Sequence, residues 1–150
     1  MDASASTRSE LGEIQNAAMA FVNQLRPIDR ILIIAFDNDL KLVAKATSDR
    51  NKLYQAIRNI RSGDGTRLYD TVDIALNHYF GHTASRKAII LFTDGRDTAS
   101  HEASFETTLR DAEASGTLIY SIMYSPPSMD WMSPVPKIYL SRLEIGRAHV

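Results

Sequence analysis

The chain has 150 residues, a mass of 16.7 kDa and a net charge of −1. That is the size of one domain, without the basic surplus that a general nucleic-acid or anionic-membrane binder needs. Hydrophobic residues at 44% and charged residues at 23% exclude disorder, collagen and coiled coil, no apolar run is long enough for a bilayer, and the lack of Cys excludes disulfides and thiolate metal sites. Leu11, Ile14, Ala18, Phe21, Val22 and Leu25 recur at helical spacing, and Pro27 closes that helix. Residues 31–36 form an unbroken aliphatic run, the pattern of a strand buried on both faces. Asp37-Asn38-Asp39 is a turn, and residues 40–46 alternate apolar side chains with Lys41 and Lys45, which predicts an antiparallel edge strand.

Asp49 predicts an N-cap for a helix carrying Leu53, Ala56, Ile57 and Ile60. A loop over 62–66 leads to a third helix with Leu68, Val72, Ala75, Leu76 and Tyr79 on one face, ending at Gly81. Residues 88–92 read as a second buried strand running into Thr93-Asp94-Gly95. Phe105, Leu109 and Ala112 mark a fourth helix ending at Gly116, and residues 118–122 a further strand. Pro126, Pro127, Pro134 and Pro136 punctuate a stretch without clear period, which predicts a loop with Trp131 as a packing anchor. Strands alternating with helices give an α/β layered fold with a mostly parallel sheet, and ligands in such folds bind beyond the carboxyl ends of strands.

Three polar clusters stand at such positions. Asp2, Ser4 and Ser6 precede the first helix at alternate positions, a spacing that in an extended or looping backbone points all three side chains one way. Gly65-Thr66 precedes the third helix, and Thr93-Asp94-Gly95 follows the second buried strand. The oxygens of Asp2, Ser4, Ser6, Thr66 and Asp94 are hard ligands, suited to Mg²⁺, Mn²⁺ or Ca²⁺ rather than to zinc or copper. Two carboxylates neutralise a divalent ion, while three hydroxyls add ligands without charge. An ion so held stays electrophilic and can accept a further carboxylate.

The D-x-S-x-S of Asp2, Ser4 and Ser6, followed by Thr66 and by Thr93-Asp94-Gly95, resembles the metal-ion-dependent adhesion site of von Willebrand factor type A domains. All five metal positions are filled in the family's chain order, over residues 1–124. Residues 63–70 and 93–100 are most similar to a bacterial branch of the family. Ala5 stands where the family often has Gly. The resemblance implies a Rossmann-like three-layer fold with one antiparallel edge strand. It also implies a non-enzymatic module that binds a protein or peptide presenting Asp or Glu through the cation, on a full-length protein secreted or displayed at the cell surface.

Other readings of these residues are weighed against that one. Asp2, Ser4 and Ser6 could cap the first helix, and Asp94-Gly95 could be a plain turn; the joint presence of all three clusters disfavours both. An intracellular scaffold subunit of an Mg²⁺-dependent assembly is an alternative within the family. An Mg²⁺-dependent aspartyl phosphohydrolase needs a second acid two residues after its nucleophile, and that position is Ser4. G-x-S-x-G and the P-loop pattern do not occur. Asp70 fits either a position behind the metal ligands or a solvated first helical turn. Asp97 and Ser100 fit a partner surface or ordinary loop polarity, and His78, His82 and His101 the surface.

In the family's fold the central first strand delivers the Asp of D-x-S-x-S, and here only Met1 precedes Asp2. The expectation is that this strand is missing, with the gap between residues 31–36 and 88–92. Residues 125–143 are expected to be a Pro-rich loop, with a remainder of the domain as the alternative. Residues 144–150 resemble a translated sequencing adapter and are expected to be a non-native tail rather than an ordinary helix end, with the family's C-terminal elements also absent.

Overall fold

A computed structural model of the chain describes residues 1–81, 85–124 and 135–145. The helical period starting at Leu11 yields α1 (Leu11–Gln24), which buries Ile14, Ala18 and Val22. It is preceded by a 3-10 helix over Ala5–Glu10 with Ser4 as its N-terminal cap residue. Of the extended or looping backbone that the alternate spacing allows, the chain around Ser6 is therefore not the extended form. The aliphatic run forms β1 (Ile31–Phe36), and β2 (Leu40–Thr47) pairs with it antiparallel. The pairing shifts register between Ile31 and Ile33 and again between Ile33 and Ile34, so the exposure of β2 does not alternate cleanly. α2 (Arg50–Arg58) follows, capped by the Asp49 carboxylate, which accepts from the amides of Asn51 and Lys52.

The third predicted helix divides into α3 (Leu68–Asp73) and a π-helical turn over Ile74–Tyr79, where the Phe80 amide reaches back five residues to the Ala75 carbonyl. β3 (Ala88–Thr93) pairs in parallel with β4 (Leu118–Met123), from Ala88 opposite Leu118 to Thr93 opposite Met123. Between them runs α4 (Phe105–Ser115), opened by a capping box of Ser104 and Thr107 and closed by Gly116 at φ 62°.

β1–β2 and β3–β4 are separate two-stranded sheets. Residues 1–3 lie between them. The Met1 amine donates to the Ile34 carbonyl (2.7 Å) and the Phe36 amide to the Met1 carbonyl (3.0 Å). The Asp2 amide donates to the Phe92 carbonyl (2.8 Å) and the Ala3 amide to the Phe36 carbonyl (2.9 Å). The gap thus falls where the sequence placed it, with order β2, β1, residues 1–3, β3, β4 and an antiparallel edge at β2. Among the described residues no helix is long and apolar enough to cross a membrane.

Helices cover both faces. α1 and α2 pack Ile14, Ala18, Val22, Leu53 and Ile57 against Ile33 and Phe92. α3 and α4 pack Leu68, Val72 and Leu109 against Phe36, Leu91 and Ile119. The second core includes a helix that the proline pattern hid, α5 (Val135–Ile145), which buries Tyr139, Leu140 and Leu143. The expectation of loop over 125–143 is corrected at residues 135–143. Pro136 sits in the first turn, where its missing N–H has no helical acceptor to lose. Burial of three large side chains, at about 1.5–3 kcal/mol each, holds the helix in place. Glu144 and Ile145 continue it; Pro126, Pro127, Trp131, Pro134 and residues 146–150 of the expected tail lie outside the described residues, as does His82.

Candidate metal centre

The carboxyl ends of β1 and β3 and the segment between them bring three loops together. Asp2 is fully buried. Its Oδ1 accepts from the Ser4 amide (2.9 Å) and its Oδ2 from the Thr93 hydroxyl (2.7 Å). The Thr7 hydroxyl donates to the Ser4 carbonyl (3.1 Å), tying the 3-10 turn beneath Asp2. That turn sets the Ser4 and Ser6 hydroxyls 3.0 Å apart. Ser4 is buried and Ser6 half-buried.

Thr66 is buried and comes from the loop that precedes α3. The loop is fixed to the first cluster by the Gly63 amide, which donates to the Ala3 carbonyl (2.8 Å), and by the Ser62 hydroxyl on the Ser4 carbonyl (3.3 Å). It also lies against the β1–β2 turn. A Cβ on Gly63 would meet Asp37 Oδ2 at 2.2 Å, and Gly65, at φ +61°, has Asn38 Oδ1 where a Cβ would stand. Thr66 is then tied to the third loop: its amide donates to the Thr98 hydroxyl (2.9 Å), and its carbonyl accepts from the Thr98 and Ala99 amides.

Asp94 follows β3 and is 6% exposed. Its Oδ1 accepts from the Arg96 amide (3.0 Å). Its Oδ2 is buried and, among the described residues, has no hydrogen-bond partner; Arg96 Nε lies 3.9 Å from it. Asp2 and Asp94 are close enough to interact. Burial pushes the Asp2 carboxyl above its ordinary range and the Asp94 charge adds to that, against the bonds from Ser4 and Thr93. Two desolvated carboxylates with one orphaned oxygen, beside a pair of hydroxyls, are a donor set short of a cation, and a hard divalent ion fits it. Among the described residues no three His, Asp or Glu gather at one point, so an ion here depends on Ser and Thr as well as the two carboxylates.

The structure gives Asp70 a different place from either one expected. It is buried in the first turn of α3, yet its carboxylate faces the loop after Asp94. It accepts from the amides of His101 (3.2 Å), Glu102 (3.0 Å) and Ala103 (2.8 Å) and pairs with Arg67 at 2.7 Å. Burial raises its carboxyl, but these donors outweigh burial and leave it below the ordinary range. Asp97 and Ser100 belong to the same clamp. Asp97 Oδ2 accepts from the Tyr69 amide (2.9 Å) and the Ser100 hydroxyl (2.5 Å), and Ser100 Oγ accepts from the Asp70 amide (3.0 Å). Sequence reasoning also passed over Thr93 and Thr7 as supports for Asp2. Their signal is weak, because a buried Thr at a strand end reads as ordinary β propensity. His78 and His101 are exposed.

A model of the von Willebrand factor type A domain matches residues 1–96. An uncharacterized protein of Borreliella burgdorferi is 30% identical over 120 residues, 78% of this chain, and the chain spans 35% of that relative's length. BatB of Bacteroides thetaiotaomicron superposes with a TM-score of 0.75 at 17% identity, over 97% of this chain and 82% of that one. The von Willebrand factor domain of a type V pilus tip protein from Porphyromonas gingivalis gives 0.58 at 27% identity, over 65% and 36%. Proximal thread matrix protein 1 of the mussel byssus, with zinc in its metal-ion-dependent adhesion motif, gives 0.69 at 17% identity, over 95% and 37%.

Proposed function

Because the chain belongs to the von Willebrand factor type A domain family, we propose that it is a binding module whose Asp2, Ser4, Ser6, Thr66 and Asp94 hold one divalent cation. Mg²⁺ or Mn²⁺ suits the oxygen set best, and Ca²⁺ is the further candidate. The bound ion supplies a Lewis-acidic point that accepts an Asp or Glu carboxylate from a protein or peptide. The observation that carries this reading is the buried, unpartnered Asp94 Oδ2 next to the buried Asp2. The mussel byssus protein, a fold neighbour, carries zinc at its own motif, so zinc belongs among the ions tried.

Each residue has a separable task. Asp2 and Asp94 supply the charge that balances the ion. Ser4, Ser6 and Thr66 supply neutral oxygens, so the ion keeps attraction for an incoming anion. Thr93 and the Ser4 amide hold the Asp2 carboxylate in one orientation. No group in this arrangement is poised as a general acid two residues after Asp2, because Ser4 stands there. The reading is therefore of an interaction module and not an enzyme.

Titration calorimetry with Mg²⁺, Mn²⁺ and Zn²⁺ tests it. Asp94→Ala removes half the neutralising charge, so it is expected to abolish the heat of cation binding and the capture of an acidic peptide. Ser4→Ala removes one neutral oxygen and is expected to weaken both less. Equal heats for wild type and Asp94→Ala mean that the ion binds elsewhere. Phosphatase turnover that depends on Asp2 would place the protein among enzymes.

A further inference from the structure

Arg8, Lys41, Arg67 and Arg96 bring positive charge to the loops that meet at the candidate metal centre. Arg8 pairs with Asp64 (3.4 Å), Lys41 with Asp37 (3.1 Å) and Arg67 with Asp70 (2.7 Å), acids that take no part in the proposed ligand set. Arg96 differs, because the carboxylate beside it is Asp94. Its amide donates to Asp94 Oδ1 (3.0 Å), and its Nε lies 3.9 Å from Oδ2. That distance makes an ion pair but is too long for a hydrogen bond, so the guanidinium offsets charge while leaving the lone pairs of this buried oxygen open. The Asp94 side chain is 2% exposed and that of Arg96 25%, so the positive charge beside the buried oxygen is itself in reach of solvent.

We propose that Arg96 makes the loaded centre select an anion: it weakens the hold on the cation and strengthens the hold on a partner's Asp or Glu. The proposal rests on the cation reading above. Asp2 and Asp94 by themselves balance a divalent ion and leave no net charge for a partner. A guanidinium keeps its proton at every accessible pH, so Arg96 stays positive when Asp94 turns to the ion. Two positive charges beside one buried carboxylate repel, and burial keeps that repulsion from being fully screened. The same surplus attracts an incoming carboxylate, which has two oxygens to offer; a guanidinium N–H suits the one that the ion does not take. An amide side chain brings no charge for Arg96 to meet, so Asn and Gln are rejected. A residue that merely braced the loop would act differently, since its loss would loosen Asp94 and weaken cation and partner together.

The experiment uses the full chain as wild type, Arg96→Gln and Arg96→Lys. Binding of Mn²⁺ is read from the paramagnetic resonance of the free ion. The partner probe is a fluorescein-labelled, amidated peptide Gly-Ser-Asp-Ser-Gly, with an Asn twin, followed by anisotropy in saturating Mn²⁺. Arg96→Gln is expected to bind Mn²⁺ about threefold more tightly and the Asp peptide about tenfold more weakly. Arg96→Lys keeps the charge and is expected to stay within about threefold of wild type on both counts. Shifts in the same direction for Arg96→Gln, or no shift in either, overturn the proposal, as does equal binding of the Asn twin by wild type. If Arg96→Gln does not fold, Arg96→Lys decides: retained peptide binding supports the charge, and a loss of about tenfold overturns it. A wild type that binds no Mn²⁺, or no peptide once loaded, overturns the cation reading itself, a result separate from any shift between variants.

Discussion

Asp70 shows how far one carboxylate can act from the oxygens proposed to hold the ion. Three backbone amides and Arg67 converge on it, so its charged form fastens residues 101–103 to the start of α3. Its carboxyl is depressed in the fold. Its stabilisation is therefore fully present above the unfolded value, about 3.9, and is lost as pH falls through the lower folded value. Asp70→Asn is expected to cost about 2 kcal/mol at neutral pH, read from urea midpoints. The difference from wild type should shrink only below about pH 4; a difference that persists unchanged at pH 2.5 would show that charge is not the cause. At this scale the sequence was legible where polar residues recur in spaced clusters. Asp2, Ser4, Ser6, Thr66 and Asp94 stand in three clusters after or before buried runs, and the structure brings those loops together. Asp70, Asp97 and Ser100 carried no such pattern, because an acid in a helical first turn and a polar loop look alike whether they are solvated or folded inward.

Among the elements, α5 is the one that the sequence hid, and Gly95 is where it meets the candidate site. Gly95 has φ +80°, and a Cβ there would lie 2.9 Å from Leu140 Cδ1 and 3.0 Å from Pro136 Cβ. Gly95→Ala is thus strained twice, in backbone and in contact. It is expected to lower stability by about 1–3 kcal/mol and to weaken cation binding, because Asp94 moves with it. Urea denaturation and Mn²⁺ titration of the variant check the two effects together. A variant as stable as wild type would mean that α5 yields freely at this contact. The Tyr139 hydroxyl bonds Thr108 at 2.9 Å inside the same core, so Tyr139→Phe is expected to cost about 1 kcal/mol without touching cation affinity. α5 was missed because prolines at 126, 127, 134 and 136 suppress a helical reading, although one in a first turn is harmless. The strands were legible for the opposite reason. Unbroken aliphatic runs such as 31–36 and 88–92 have little choice but burial on both faces.

For the molecule as a whole, a cation that binds the folded state alone raises stability by mass action, about 2.7 kcal/mol at a hundredfold excess over the dissociation constant. Thermal melts with Mg²⁺ or Mn²⁺ are expected to rise with concentration for wild type and to stay flat for Asp94→Ala. The layering could be read from the chain because it follows from the order of the buried runs. Which helix residues meet which sheet could not, since that depends on packing. The backbone bonds of residues 1–3 reach both sheets, to Ile34 and Phe36 on one side and Phe92 on the other. Asp2 therefore sits on the seam between the two halves of the fold. Under tension applied across the sheets, that seam shares the load with the helices packed on both faces. An ion shared between Asp2 and Asp94 would act there as a rivet, and single-molecule pulling should find a higher rupture force with Mg²⁺ than in EDTA.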